Sequence, residues 1–344
     1  MEMEHQHIPL SLYSPARNRN DIEEAIVVEE DMESLSFPKV RKHFIEANTK
    51  ESSLYHLKND CIVPVFSKDN EITISHTQFI ETVQDCAGNL FRNETILEPE
   101  IRVSHMIKGR TPEAIHKAVN ELVDTDKTIY YERMAFCMEI PSITANIGGN
   151  QLHLTVGGVR AYNQENLYSK KGFEKFKVFI GFKNLVCCNM CVSTDGYCEE
   201  IRVTSLNDLM AKAIELFVSY NAQNHLNLMN SMQNYGLSES QFAQIIGKSR
   251  MYQYLPAKEQ KILPAFEFND SHINQVVKSY YRDQDFGVDN HKTLSLWKFY
   301  NLLTGANKLS YIDTFLNRSV NATNLTSGLG KALDGEDYYK WFLE

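Results

Sequence analysis

The sequence predicts an α+β protein: an antiparallel β-meander with flanking helices, followed by a mostly helical C-terminal region packed on it. Three observations predict this. Between residues 102 and 203 apolar residues recur with period two in a series of short runs; those runs are separated by Gly and Pro rather than by long crossover helices; and from residue 205 the period lengthens to 3.6. A chain of 344 residues with 43% hydrophobic content has enough apolar material to bury a sizeable core.

Residues 1–55 read as an acidic, disordered arm, because 21–33 hold seven acids and no base around the short patch Ala25, Ile26, Val27 and Val28. The first twenty residues are polar and lack the basic-then-apolar layout of a secretory leader. No run approaches the roughly 18 apolar residues that cross a bilayer. A cytoplasmic protein is therefore expected, and the seven unevenly spaced cysteines, an odd number in a long chain, fit a reducing compartment.

A β-rich core is expected over 56–204. It opens with an apolar piece at 62–66, an alternating stretch at 71–75 and a helix over 77–89 that carries Phe79, Ile80, Val83 and Ala87 on one face. A strand follows over 102–107. Thr111 then offers a capping hydroxyl and Pro112 a first helical position, which predicts a helix with Ala114, Ile115, Ala118 and Leu122 as its buried stripe. Strands are expected at 128–131, 134–140, 152–159 and 177–182, punctuated by Pro141, by Gly148, Gly149 and Asn150, and by Gly172, with 186–192 and 201–203 extending the sheet. From 205 to 344 the chain reads as helical. Ser205 with Asp208 opens a helix striped by Leu206, Leu209, Met210, Ala213, Ile214 and Phe217; Ser238 with Gln241 opens another; and two more are expected at 273–281 and 295–303, with Trp297, Tyr300 and Leu303 in the core.

Charge is distributed unevenly within a net of −9. Residues 101–185 hold 12 Lys+Arg against 8 Asp+Glu, whereas 1–100 hold 9 against 19. Net acidity excludes a protein that coats nucleic acid over its whole surface, since phosphate binding needs cations that displace counterions. The basic middle remains a candidate. Lys108, Arg110, Arg133, Arg160, Lys171 and Lys177 interleave with Tyr162 and Tyr168, the composition of a surface that neutralises phosphates and stacks bases on rings. Lysines on the outer face of an aromatic sheet serve equally as solvated edge protection. Gly157 and Gly158 would permit either a close ligand approach or a bend.

Two motifs compete for attention. Cys188 and Cys191 have knuckle spacing beside Cys187 and Cys198, but no second knuckle or His pair completes a zinc set, so no metal is expected. Residues 237–255 resemble a helix-turn-helix, though Gln253 occupies an apolar position, Pro256 shortens the second helix, and a helical corner capped by Gly247 explains the same residues. There is no Walker A loop, nucleophile elbow, HExxH or dinucleotide fingerprint, and no carboxylate pair is legible. No cofactor and no catalytic residue is assigned.

The runs IKGRTPEAIHKAV, IYYERMAFCMEIPSI, GGNQLHLTVGGVRAYNQENLY, FKVFIGFKNLVCCNMCVSTDG, SQFAQIIGKSRMYQYLP and LWKFYNLLTGANKLSYIDTFLNR resemble an uncharacterised family carried on mobile elements of Bacteroides-type bacteria. That family is more distantly similar to phage/plasmid-like proteins, in which a VCxN segment and a W-x-x-Y-N-x-x-T segment recur. Here these are Val186 to Asn189 and Trp297 to Thr304. The resemblance covers about residues 100–320 and implies a setting of recombination, replication or host takeover, without an established activity. The expectation is a non-enzymatic mobile-element protein that contacts single-stranded DNA. The alternative is a protein-interaction module, or an inhibitor of a host defence complex, acting through the acidic arm and the helical surface.

Overall fold

Ser75, Ser205, Ser238 and Ser295 each open a helix, and each hydroxyl accepts the backbone N–H three residues on, satisfying a donor that the first turn would otherwise leave bare. At Ser75 and Ser238 the glutamine at that third position reaches back to close a full capping box. The computed structural model describes residues 42–62, 73–114, 116–164, 173–290 and 292–344. Its elements in chain order are β1 (Lys50–Ser52), α1 (Leu54–Asn59), α2 (His76–Leu90), β2 (Glu100–Val103), β3 (Met106–Arg110), β4 (Lys127–Tyr131), β5 (Arg133–Ile147), β6 (Asn150–Ala161), β7 (Glu174–Asn184), β8 (Met190–Cys191) and β9 (Tyr197–Val203). They continue with α3 (Leu206–Ser219), α4 (Ala222–Ser231), β10 (Gly236–Ser238), α5 (Glu239–Tyr252), α6 (Ala257–Gln260), α7 (Asp270–Arg282), β11 (Thr293–Ser295), α8 (Leu296–Asn307) and α9 (Ile312–Leu333).

The central sheet has the order β1-β2-β5-β6-β7-β8, with β9 also on β7, and every pairing is antiparallel. Its spine is the long hairpin β5–β6. Gly148 and Gly149 turn it with φ of 57° and 80°, the left-handed values that a tight two-residue hairpin requires. Pro141 does not end β5. The register shifts between Ile140 and Thr144, and this bulge absorbs a residue that has no N–H to donate.

Both faces of the sheet are covered. Phe136, Met138, Leu154, Val156, Phe176, Val178 and Ile180 pack with Phe79 and Val83 of α2, Leu209 and Ala213 of α3 and Met229 of α4. On the opposite face Ala135, Cys137, Val159 and Phe179 meet Phe44, Ile45 and the Ile312, Phe315 and Leu316 stripe of α9. The paired glycines serve this packing: a Cβ on Gly158 would lie 2.4 Å from Cζ of Phe79, so the missing side chain is what lets α2 seat on the sheet.

Several expectations are corrected. The helix expected after Thr111 is three short 3₁₀ turns, at Pro112–Ala114, Val119–Glu121 and Asp124–Asp126. Ala118 is exposed and Leu122 only half-buried, too little apolar surface to hold a helix down, and an ion pair of Lys117 with Asp126 (2.7 Å) closes the segment as a loop instead. The single strand expected over 102–107 is two, β2 in the central sheet and β3 in a separate two-stranded ribbon with β4. Of the strand expected over 186–192, only Met190–Cys191 forms. Residues 237–255 are not a helix-turn-helix: α5 runs unbroken through Gly247, which neither caps a helix nor turns one.

The boundary expected at 55 also falls inside ordered structure, since Phe44 and Ile45 are buried and β1 pairs with β2. The described residues all belong to one compact unit, Lys42–Glu344. The acidic arm up to Arg41, the segment 63–72, Ile115, Tyr168 and Lys171 lie outside the described residues.

Candidate functional site

Of the cations selected from the sequence, the β3–β4 ribbon carries Lys108 and Arg110. Its register sets Met106 opposite Tyr131, Lys108 opposite Ile129 and Arg110 opposite Lys127, so these six side chains share one face. Lys108 is exposed and has no ion-pair partner among the described residues. Arg110 donates from Nη1 to the Lys117 carbonyl at 2.7 Å, and Lys127 pairs at 2.8 Å with Asp124, both ends of that pair being well exposed. Surface pairs of this kind are worth little and open readily to a competing anion.

Four of the other residues selected from the sequence are engaged inside the fold. Arg160 and Tyr162 are buried, not displayed, which corrects their assignment to a nucleic-acid surface. The β5–β6 register pairs Arg160 with Met134, on the face that α2 covers. There Nη1 donates to the Ile74 carbonyl at 2.7 Å, Nη2 pairs with the Glu174 carboxylate, and the guanidinium lies 4.1 Å from the Phe176 ring centre. Tyr162 stacks on His76 with ring centres 4.6 Å apart. Lys177 is half-buried against α9, donating to the Asp313 carbonyl at 2.8 Å and to Asn317 Oδ1 at 2.7 Å; burial lowers its pKa, against the pull of Glu199 and Asp313. Arg133 lies 3.8 Å from the Asp313 carboxylate and 3.6 Å from that of Glu132.

A cleft of about 330 Å³ opens beside Lys177, lined by Gln164, Lys175, Lys177, Glu199 and Glu200. Hydrogen bonds from Arg202 and Lys175 hold the Glu200 carboxyl down at about 2. Lysines and carboxylates alternate around this opening, so it offers no net attraction to a phosphate chain.

One polar constellation was invisible in the sequence. Lys183, 4% exposed, places Nζ 2.8 Å from Glu100 and 2.9 Å from Glu139, while His43 and His153 each contribute a ring nitrogen 3.0 Å from one of those carboxylates. Burial raises both glutamates, but the Lys183 ammonium and the donated hydrogen bonds outweigh it and hold both below the usual carboxylate range. Lys183 is shifted up despite its burial, by Cys137 and the two glutamates. The lysine occupies the place between carboxylates that an added cation would take, and it stays protonated. No local spacing links residues 43, 100, 139, 153 and 183, which is why reading along the chain misses them.

The cysteines at 187, 188, 191 and 198 are free thiols. Burial pushes Cys187 up to about 12. Among the described residues no group of three or more His, Cys, Asp or Glu is placed to hold a metal ion. The two segments that carry the sequence resemblance meet in space. Asn189 Nδ2 donates to the Asn301 carbonyl at 2.9 Å, Asn184 Nδ2 donates to Asn301 Oδ1 at 3.1 Å, and Asn301 Nδ2 donates to the Trp297 carbonyl at 2.9 Å. All three asparagines are buried, so this is a polar latch between the end of β7 and α8.

Residues 21–343 match a family described as "Domain of unknown function, B. Theta Gene description (DUF3871)". The chain belongs to this family. No curated protein and no solved structure matches it. Membership of DUF3871 spans almost the whole sequence, including the helical half, in keeping with a fold in which the two parts share a core. Among the described residues, no helix of this DUF3871 protein is long and apolar enough to cross a membrane.

Proposed function

We propose that the chain binds single-stranded DNA along the Lys108 face of the β3–β4 ribbon. The observation that carries this reading is the ribbon itself: a two-stranded element outside the central sheet that gathers Lys108, Arg110 and Lys127 with Tyr131 and Met106 on one face. Cations at alternate strand positions supply phosphate contacts, and the aromatic and thioether side chains between them offer surfaces for bases. The resemblance to proteins of mobile elements, whose work includes recombination and replication, supports the same reading. It replaces a broad sheet surface with a narrow ribbon, since Arg160, Tyr162 and Lys177 are committed to internal contacts.

The test is anisotropy of a labelled single-stranded oligonucleotide across a salt series, with the full chain and with a Lys108→Ala/Arg110→Ala/Lys127→Ala variant. Each phosphate contact contributes about 0.7 to the slope of log affinity against log salt, so the variant should lose about 2 in slope and bind at least about tenfold more weakly. Equal slopes, or no binding by the full chain at low salt, would refute the proposal.

A further inference from the structure

A second cleft, of about 410 Å³, lies between α1, α2 and β4, with Leu57, Cys61, Ser75, His76 and Tyr131 among its lining residues. The end of α1 places three chemically complementary groups at its edge. His56 and Asp60 are one helical turn apart, and His56 Nδ1 lies 2.7 Å from Asp60 Oδ2. The far nitrogen, Nε2, is 3.0 Å from the Tyr131 hydroxyl and 3.8 Å from Cys61 Sγ. A thiol, an imidazole that faces it and a carboxylate that fixes the imidazole's other nitrogen are the parts of an activated nucleophile. His56 and Asp60 keep 31% and 55% of their side chains exposed and Cys61 is half-buried, so the group is accessible.

We infer that Cys61, His56 and Asp60 form an acyl-transfer site that accepts a small acyl ester or thioester in this cleft. As Sγ adds to the acyl carbonyl, its proton passes to His56 Nε2, with Asp60 holding the Nδ1–H side of the ring. The adduct then collapses: the bond from the carbonyl carbon to the leaving oxygen or sulfur breaks, and Nε2 returns the proton to that leaving group. Water, deprotonated by the same nitrogen, releases the acid and restores the thiol. The Tyr131 hydroxyl shares Nε2 with the thiol in the free protein and is a donor for the carbonyl oxygen as it gains charge.

Burial, assisted by Asp60, pushes the Cys61 thiol up to about 11, so the sulfur rests protonated at neutral pH and its activation has to come from the His56 contact. His76, which also lines the cleft, is buried and directs Nε2 to the Tyr131 carbonyl at 2.8 Å. Its Nδ1 has no hydrogen-bond partner among the described residues, and burial, with Arg160 opposing protonation, keeps it neutral down to about 3. Among the described residues, the other charged groups lining the cleft are Lys58 and Glu81, paired with each other at 3.0 Å.

The site shares Tyr131 with the proposed DNA-binding ribbon but needs none of its cations, and it is tested without DNA. The full chain is treated with p-nitrophenyl acetate, p-nitrophenolate release is followed across pH, and the acetylated peptide is identified by mass spectrometry. The expected result is one acetyl group on Cys61, with a rate that depends on the His56 base. His56→Gln should slow the reaction about 100-fold and leave a rate that climbs with thiol ionisation, and Asp60→Asn should slow it less while keeping the wild-type profile. Cys61→Ser, checked for an unchanged melting temperature, should remove the label. Equal rates and profiles for the wild type and His56→Gln, or acetyl spread as heavily over Cys187, Cys188 and Cys198 as over Cys61, would overturn the inference.

Discussion

Replacing Arg160 by methionine separates a surface role from a core role. In the structure this side chain is fully buried, donates to the Ile74 carbonyl, pairs with Glu174 and lies between the rings of Phe176 and Tyr162. Removing one partner of a buried ion pair costs about 3–5 kcal/mol, mostly from the charge left behind. Glu174 keeps 17% of its side chain exposed and still accepts the Ile74 N–H at 3.0 Å, which favours the lower end. Loss of the hydrogen bond to the Ile74 carbonyl adds about 1 kcal/mol, and methionine refills most of the apolar volume. The net expectation is about 3–4 kcal/mol, or about 6–8 °C in melting temperature at roughly 2 °C per kcal/mol for a unit of this size. Thermal and urea denaturation measure it, and Arg160→Met/Glu174→Leu should recover part of the loss. A variant that melts with the wild type but binds oligonucleotide more weakly would refute the reasoning and return Arg160 to the surface.

Two predictions concern the other buried polar groups. Lys183→Met should be destabilising by about 3–5 kcal/mol near pH 7.5 and by much less near pH 4. The wild-type carboxyls of Glu100 and Glu139 are held below their ordinary range, so their contribution is present above about pH 4.3 and fades as pH falls through the lowered values. Without the ammonium, burial alone raises both, and protonation at pH 4 relieves the variant; a urea-derived deficit that is flat with pH would contradict this. Asn189→Ala deletes the donor to the Asn301 carbonyl and should cost about 1–3 kcal/mol, so a change under about 0.3 kcal/mol in urea unfolding would show that the latch is not needed.

Much of the fold was legible because local chemistry announces it. The hydroxyls at Ser205 and Ser238 mark helix starts, and period-two runs locate β4, β6 and β7 to within a few residues, whereas β5 continues past Pro141 to Ile147. What was not resolved is α9 as a separate element: residues 205–344 were expected to be helical, but the run from Asn317 to Gly330, rich in Asn, Ser, Thr and Gly, has no continuous apolar stripe to set its bounds. Its hydroxyls are satisfied inside the helix, Ser319 by the Phe315 carbonyl and Thr326 by that of Ala322, which makes burial tolerable against the sheet. Not knowing which face α9 covers also explains the misplaced site. Alternation tells which residues share a face but not whether water lies beyond it, and the face carrying Lys177 is covered by α9. The ribbon residues Lys108 and Arg110 were found from composition, whereas His56, Asp60 and Cys61 were passed over although they lie within six positions.

The latch of Asn184, Asn189 and Asn301 has a consequence for how this chain can be divided or recombined. Cutting after residue 204 would strip α3 and α4 from Phe176, Val178, Ile180 and Phe182 and would leave two amides of the sheet half without acceptors. The halves are therefore not exchangeable modules. Insertions are best tolerated at exposed loop tips, and a functional fragment must carry residues from both ends of the compact unit, since Phe44 and Ile45 meet Ile312 and Phe315 across the same layer.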